Sequence, residues 1–241
     1  MTEPFLVVSG LDAFYGAAQI LFSVGFELAP GEVVALMGRN GAGKTTTLES
    51  IMGLVARRTG SIVFRGRELA RLRPYEIARL GLGFVPEDRR IFTDLTVLEN
   101  LEVGRRRPMQ SSETASEPWT PERLFQLFPN LAEARNRSAG RMSGGEQQML
   151  TIARTLMGNP LAILLDEPSE GIAPIIVDQM IGMIAELKRT GVAILVSEQN
   201  LPFAAAVADR AYVLEHGQIK FTGDIRSLIQ NEEARRAYLE L

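Results

Sequence analysis

"GEVVALMGRNGAGKTTTLESIM", residues 31–52, changes character twice and sets the architecture around it. After Pro30-Gly31 comes a short apolar, β-branched run with the composition of a buried strand. A glycine-rich loop follows, and from Lys44 to Met52 the pattern continues as helix. The loop, GRNGAGKT at 38–45, satisfies G-x-x-x-x-G-K-[ST] at every fixed position. Its glycines let main-chain N–H groups wrap a β-phosphate, and the helix N-terminus near Lys44 adds its dipole. Lys44 is expected to reach the β- and γ-phosphates and the Thr45 hydroxyl to sit on Mg²⁺. The nucleotide-binding set expected here is Gly38, Arg39, Asn40, Gly41, Ala42, Gly43, Lys44, Thr45 and Thr46. A chance glycine-rich turn is the alternative, but the cradle requires this placement between strand and helix.

Downstream, LAILLDEP at 161–168 is an apolar strand delivering two adjacent acids. Strands often end in surface acids; beside a phosphate loop, Asp166 is expected to hold Mg²⁺ through water and Glu167 to polarise the attacking water. RMSGGEQQML at 141–150 opens another helix with a serine and a glycine pair, a second potential anion site. One chain has no evident need of two cradles. What a second cradle at Ser143-Gly144-Gly145 serves is not derivable from spacing alone.

The rest of the chain alternates strand and helix. Strands are expected in 4–16 (PFLVVSGLDAFYG, with a turn), 60–69, 81–87 and 191–198, and a hairpin in 210–221 turning at His216-Gly217. Helices are expected from about Pro174, around Phe203 and in the tail 231–241. From Thr96 to Met157 the periodicity is helical, interrupted by RRRPMQSSETASEPWTP at 105–121, which reads as a mobile polar loop. This is an α/β core with a helical insertion and no internal repeat.

The net charge of -3 gives no reason to expect nucleic acid or an anionic membrane as partner. Basic residues cluster only locally, at Arg105-Arg106-Arg107 (read as a solvated helix end) and at Arg65, Arg67, Arg71 and Arg73. The absence of cysteine excludes disulfides and thiolate metal sites. The opening MTEPFLVVSG lacks a secretory leader's pattern, and no apolar run approaches the roughly 20 residues needed to cross a bilayer. A membrane role is expected to go through a partner.

SGGEQQ shortly before LLDEP, downstream of GRNGAGKTT, resembles the ATP-binding cassette ATPases over essentially the whole chain. Within them the chain is similar to the ATP-binding subunits of branched-chain amino acid importers. That likeness rests on FVPEDRRIFTDLTVLENL, MSGGEQQML, LLDEPSEGIAP, LVSEQN and RRAYL. The resemblance implies one α/β domain over 1–241: a P-loop (RecA-like) nucleotide-binding core, 1–90 and 158–241, with an antiparallel β subdomain, and an inserted helical ABC subdomain, 91–157. It implies ATP and Mg²⁺ as cofactors, and nucleotide sandwiched between two cassettes, a homodimer or a pair with a sister subunit. It further implies integral permease subunits, a periplasmic binding protein acting indirectly, and peripheral placement on the cytoplasmic face of the inner membrane. Urea, short amides or another small solute is the alternative cargo. A cassette acting on ribosomes or DNA would usually carry tandem cassettes or a coiled coil, absent here; intact Lys44, Asp166 and Glu167 argue against a scaffold without turnover.

Carried over by the same resemblance, Ser143, Gly144, Gly145 and Glu146 join the nucleotide-binding set, and Tyr15 is the aromatic that stacks on adenine, unless it is merely packed. Lys44, Glu167 and Gln199 are the catalytic set, and Thr45, Glu87 and Asp166 the metal set. Three positions depart from the general cassette pattern: Glu87 replaces a glutamine, Gln199 the switch histidine and Ala173 an aspartate. Gln199 can hydrogen-bond a γ-phosphate but carries no charge; capping the next helix is its alternative task. Glu87 can ligate Mg²⁺ strongly but repels phosphate if unpaired. Trp119 reads as a local anchor, and His216 as a surface residue without a role.

Overall fold

The computed structural model describes residues 3–106 and 117–238. Strands β1 (Leu6–Tyr15), β2 (Ala18–Leu28) and β3 (Val33–Met37) lead into α1 (Lys44–Ile51), β4 (Arg57–Phe64), β5 (Arg67–Glu68), α2 (Pro74–Arg79) and β6 (Leu82–Val85). A run of helices comes next: α3 (Val97–Gly104), α4 (Pro121–Leu127), α5 (Pro129–Glu133) and α6 (Gly144–Leu156). Alternation then resumes through β7 (Ala162–Asp166), α7 (Pro174–Arg189), β8 (Ala193–Glu198), α8 (Leu201–Val207), β9 (Arg210–Glu215) and β10 (Gln218–Asp224). The chain closes with α9 (Ile225–Gln230) and α10 (Glu232–Tyr238). Most of the polar segment expected as a mobile loop, 107–116, lies outside the described residues.

Two sheets form, ordered β2-β1-β4-β5 and β10-β9-β3-β8-β7-β6. The first is antiparallel. In the second, β9, β3, β8, β7 and β6 are parallel, and β10 closes an antiparallel hairpin on β9. Strands β3, β7 and β8 are buried along their whole length, as parallel strands covered on both faces must be. Their alternate residues serve two different cores. Val33, Ala35 and Met37 of β3, with Ile163 and Leu165 of β7, join the core containing α6, α7 and α8. Val34 and Leu36, with Ala162 and Leu164, join the core formed with α1 and the antiparallel sheet. Since neither face of the parallel sheet meets water, polar chemistry is confined to the strand ends, where an α/β crevice forms.

The N-terminal expectation of one strand and a turn covers only half of what forms, because β2 is a full second strand paired to β1. Its alternation is broken: buried Leu21 is followed by buried Val24, with Ser23 between them at φ 53 and register shifts in the pairing. A bulge of this kind puts the apolar face out of phase, so periodicity alone does not find the strand. The single strand expected in GSIVFRGREL resolves into β4 and β5 about a turn at Arg65-Gly66, and α9 precedes the expected tail helix α10.

The hairpin turn at His216-Gly217 forms where expected and props the loop after β3. Gly217 donates its N–H to the Ala42 carbonyl at 2.9 Å and accepts from Phe22 N at 2.8 Å. At φ 74, a Cβ on Gly217 would stand 1.9 Å from the Ile20 carbonyl oxygen. Gly217→Ala is therefore expected to destabilise the fold by about 2–4 kcal/mol through backbone strain and overpacking. Thermal unfolding should show a midpoint lower by roughly 5–15 °C for a chain of this size; an unchanged midpoint would mean that the hairpin can move away from β2.

Candidate functional site

The loop 38–43 leaves β3 and turns back over the N-terminus of α1, where Lys44 is the first helical residue. Lys44 is only 4% exposed. Its Nζ donates to the carbonyls of Gly38 (2.7 Å) and Arg39 (3.1 Å) and pairs with Glu167 Oε1 at 2.7 Å. Above it opens a cavity of about 410 Å³ lined by Asn40, Gly41, Gly43, Lys44, Thr45 and Thr46 of the loop and helix, with Tyr15, Ile20, Glu87, Glu167 and Glu170. The structure thus brings together the expected phosphate cradle, the expected aromatic and two of the expected acids. Tyr15 is half exposed, and its hydroxyl donates to Glu49 Oε2 at 2.8 Å, tying the ring to α1. Burial raises the Tyr15 hydroxyl above its ordinary value, and the Glu49 carboxylate adds to that.

Asp166 ends β7 fully buried. Its Oδ1 accepts from Ser197 Oγ at 2.6 Å and from Thr45 Oγ1 at 3.3 Å, while Oδ2 has no partner. Burial pushes its carboxyl above the ordinary range. An orphaned buried carboxylate oxygen beside a threonine hydroxyl, at the foot of a phosphate cradle, is a donor set that fits Mg²⁺. That ion keeps several waters and takes one or two protein oxygens plus phosphates. Glu87 faces the same cavity; burial and then its neighbours Glu170, Asp166 and Glu167 push its carboxyl up. Three carboxylates line the cavity against one ammonium, so a polyphosphate enters favourably only with a cation.

Glu167 follows at φ 45, a strained conformation for a side-chain-bearing residue, held by N–H bonds to the Ser197 carbonyl and hydroxyl, both 3.1 Å. Burial raises its carboxyl, and the Lys44 ammonium opposes the rise. A second lobe of about 370 Å³ joins Asn40, Glu167 and Glu170 to Ser169, Glu198, Gln199 and Asn200. Gln199 therefore stands on the same side of the cradle as Glu167. The helix cap is Asn200, whose side chain accepts from Phe203 N at 3.0 Å, so Gln199 does not cap α8. Ala173 is the N-cap of α7 and supplies no side-chain acceptor.

Ser143, Gly144, Gly145 and Glu146 line neither lobe. They form the N-terminus of α6, where Ser143 caps the helix and Glu146 closes a capping box: Ser143 N donates to Glu146 Oε2 at 2.7 Å. That bond holds the Glu146 carboxyl below its ordinary value and gives it a local task. The Arg89 guanidinium lies over Gly144, where a Cβ would stand 2.8 Å from Nη1. Trp119 is buried with the Arg123 guanidinium 3.9 Å from its ring, the anchor expected, and His216 is exposed on the flank of the loop. Sequence reasoning misses Ser197, Glu198, Glu49 and Glu170. For the first two a signal exists: LVSEQN puts a polar pair on a strand otherwise too apolar to face water.

Because the folded chain holds the Asp166 carboxyl above its ordinary value, the contribution of this one group to stability is greatest below the ordinary carboxylate range and is lost as pH rises through the raised value. Asp166→Asn keeps the shape, keeps an acceptor for Ser197 and removes the buried charge. Without nucleotide or Mg²⁺ at pH 7.5, its unfolding midpoint should rise by a few degrees, about 1–2 kcal/mol, with the gain vanishing toward pH 4. A lower midpoint at pH 7.5 would show that the charge is compensated.

Among the described residues no helix is long and apolar enough to cross a membrane. The sequence profile of the ABC transporter family matches residues 21–170. The chain is 43% identical over 229 residues to the high-affinity branched-chain amino acid transport ATP-binding protein BraG of Pseudomonas aeruginosa, covering 95% of this chain and 97% of that one. It is 35% identical to the lipopolysaccharide export system ATP-binding protein LptB of Haemophilus influenzae, over 97% and 96% of the two chains. In structure it matches a nucleotide-free ATP-binding cassette from an ABC transporter with a TM-score of 0.81 and 26% identity, covering 96% of this chain and 97% of that one. A phosphate cradle, an acid pair at the end of β7 and these likenesses converge: the chain belongs to the ABC transporter family, as one of its ATP-binding, ATP-hydrolysing subunits.

Proposed function

We propose that this subunit powers a membrane importer for branched-chain amino acids. The near full-length likeness to BraG carries the solute reading. The likeness to the lipopolysaccharide export subunit shows that the motor can be similar where the cargo differs, and urea or short amides stay as the alternative cargo. The chain works as a peripheral subunit on the cytoplasmic face of the inner membrane, through integral permease subunits fed by a periplasmic binding protein. It pairs with a second cassette, a copy of itself or a sister subunit.

In this reading Tyr15 stacks on adenine, a contact worth about 1 kcal/mol beyond burial. The main-chain N–H groups of residues 39–46 and the Lys44 ammonium hold the phosphates. Thr45, Asp166 and Glu87 hold Mg²⁺, which when bound neutralises phosphate charge. Lys44 already carries a carboxylate partner, Glu167 at 2.7 Å, so a γ-phosphate competing for the same ammonium releases Glu167 for catalysis. Glu167 then takes a proton from a water as its oxygen bonds to the γ-phosphorus and the bond to the bridging oxygen of ADP breaks. The Gln199 side-chain amide donates to the γ-phosphate, and Ser143, Gly144 and Gly145 of the partner cassette cover its outer side.

Glu167→Gln preserves shape and removes the base. It should slow hydrolysis by about 100-fold or more and leave nucleotide binding intact. With ATP and Mg²⁺ it should elute as a dimer in size-exclusion chromatography. Cells lacking the gene should regain labelled leucine uptake with the wild-type subunit and not with this variant. Wild-type subunit that restores urea uptake and no leucine uptake would move the cargo assignment to the alternative; a variant that binds ATP and stays monomeric would count against the sandwich.

Ser143→Arg blocks the cradle at α6 and removes its cap, with a stability loss of about 1 kcal/mol. If that cradle serves the partner's nucleotide, the ATPase rate of the assembled transporter should fall at least about tenfold while ATP affinity of the dilute chain stays near wild type. Equal losses in both measurements would place the cradle in cis.

A further inference from the structure

Glu198, the last residue of β8, is 1% exposed, and its carboxylate is met by main-chain N–H groups in place of a cation. Oε1 accepts from Ser169 N at 3.0 Å and Oε2 from Asn200 N at 3.2 Å. Its own carbonyl accepts from Gly38 N at 3.2 Å. One residue is thus bonded to three loops: the start of the phosphate cradle, the segment that follows Glu167, and the turn that carries Gln199. A buried carboxylate is expensive, and a residue needed only to fill the end of β8 would be apolar. What a carboxylate supplies there, and an apolar group does not, is two acceptors from one rigid plane, each bond about twice as strong as a neutral one.

We propose that Glu198 is the positioning residue that fixes Glu167 and Gln199 relative to the phosphate cradle, so that base and γ-phosphate donor keep their separation through turnover. The proposal rests on the reading of Glu167 and Gln199 as the hydrolytic pair. Ser169 stands two residues after Glu167, and Asn200 directly after Gln199, so both bonds act next to the groups they place. Glu198 also lines the lobe shared by Asn40, Glu167 and Gln199.

The experiment measures kcat and KM for ATP in the assembled transporter for Glu198→Gln, Glu198→Asp, Gln199→Ala, Glu167→Gln and the Glu198→Gln/Gln199→Ala double variant. ADP affinity and the unfolding midpoint of each isolated chain are measured beside them. The amide in Glu198→Gln keeps one acceptor and turns its NH₂ toward a main-chain N–H. A misplacement on the order of 1 Å then lowers kcat by about 10- to 100-fold, with KM and ADP affinity within about threefold of wild type. Glu198→Asp keeps both acceptors on a shorter arm and should recover part of kcat. In the double variant the effect of Glu198→Gln should be smaller than in the wild-type background, because one of the two groups it places is gone.

Wild-type kcat in Glu198→Gln, equal losses of kcat, ADP affinity and unfolding midpoint, or full additivity with Gln199→Ala would each overturn the proposal and leave the hydrolytic pair standing. Wild-type rates in both Glu167→Gln and Gln199→Ala would overturn the pair and the proposal with it. Should Glu198→Gln fail to fold, the split between kcat and KM in Glu198→Asp decides the question alone.

Discussion

The Lys44 ammonium lies 2.7 Å from the Gly38 carbonyl and 2.7 Å from a Glu167 oxygen, almost wholly out of water, and the rest of the site is arranged around keeping it there. A buried cation without partners is costly by several kcal/mol, so the loop must fold back to offer its carbonyls and β7 must end beside it to offer a carboxylate. Both demands are met by the sheet order: β3 pairs with β8, and β8 with β7. Ser197 on the intervening strand then bonds Asp166 and the main chain of Glu167 at once. The strained φ of Glu167 is sustained by those bonds, and its strain aims the side chain at the lysine.

Much of this was legible in the amino-acid order, for a physical reason. The glycine loop at 38–45 and LLDEP at 164–168 are each a contiguous stretch, and each supplies its own strand, turn and candidate site side chains. The His216-Gly217 hairpin was legible in the same way, as a glycine between two apolar runs. What escaped reading depends on register or on distant partners. Strand β2 is hidden by the bulge at Ser23, which shifts its apolar face out of phase. The Ser197–Asp166 bond joins residues on different strands, and although LVSEQN marks Ser197 as a polar residue on an apolar strand, the local sequence does not name its partner. The contact of Tyr15 with Glu49 links the antiparallel sheet to α1 across a gap no local pattern spans.

The helix start at Ser143 teaches a different lesson. Its sequence reads as an anion site, and its glycines are packed for close approach, Gly144 beneath Arg89 and Gly145 against Ile176. Yet within one chain it opens onto neither lobe of the cavity, and its Glu146 is spent on the capping box. A residue pattern can therefore be fully formed and locally explained without opening onto the cavity of its own chain.

The division of each central strand between two cores bears on how this sequence can drift. Val33, Ala35 and Met37 answer to the helices on one face, while Val34 and Leu36 answer to α1 and the antiparallel sheet on the other. Neighbours in the chain are thus strangers in packing, and residues far apart in the chain share a constraint. Substitutions compensate within a face and stay nearly independent across it, since coupling falls away where no packing partner is shared. Relatives diverging from this protein should change odd and even positions of the same strand on separate schedules. The strand-end polar residues, Asp166, Glu167 and Glu198, belong to neither set.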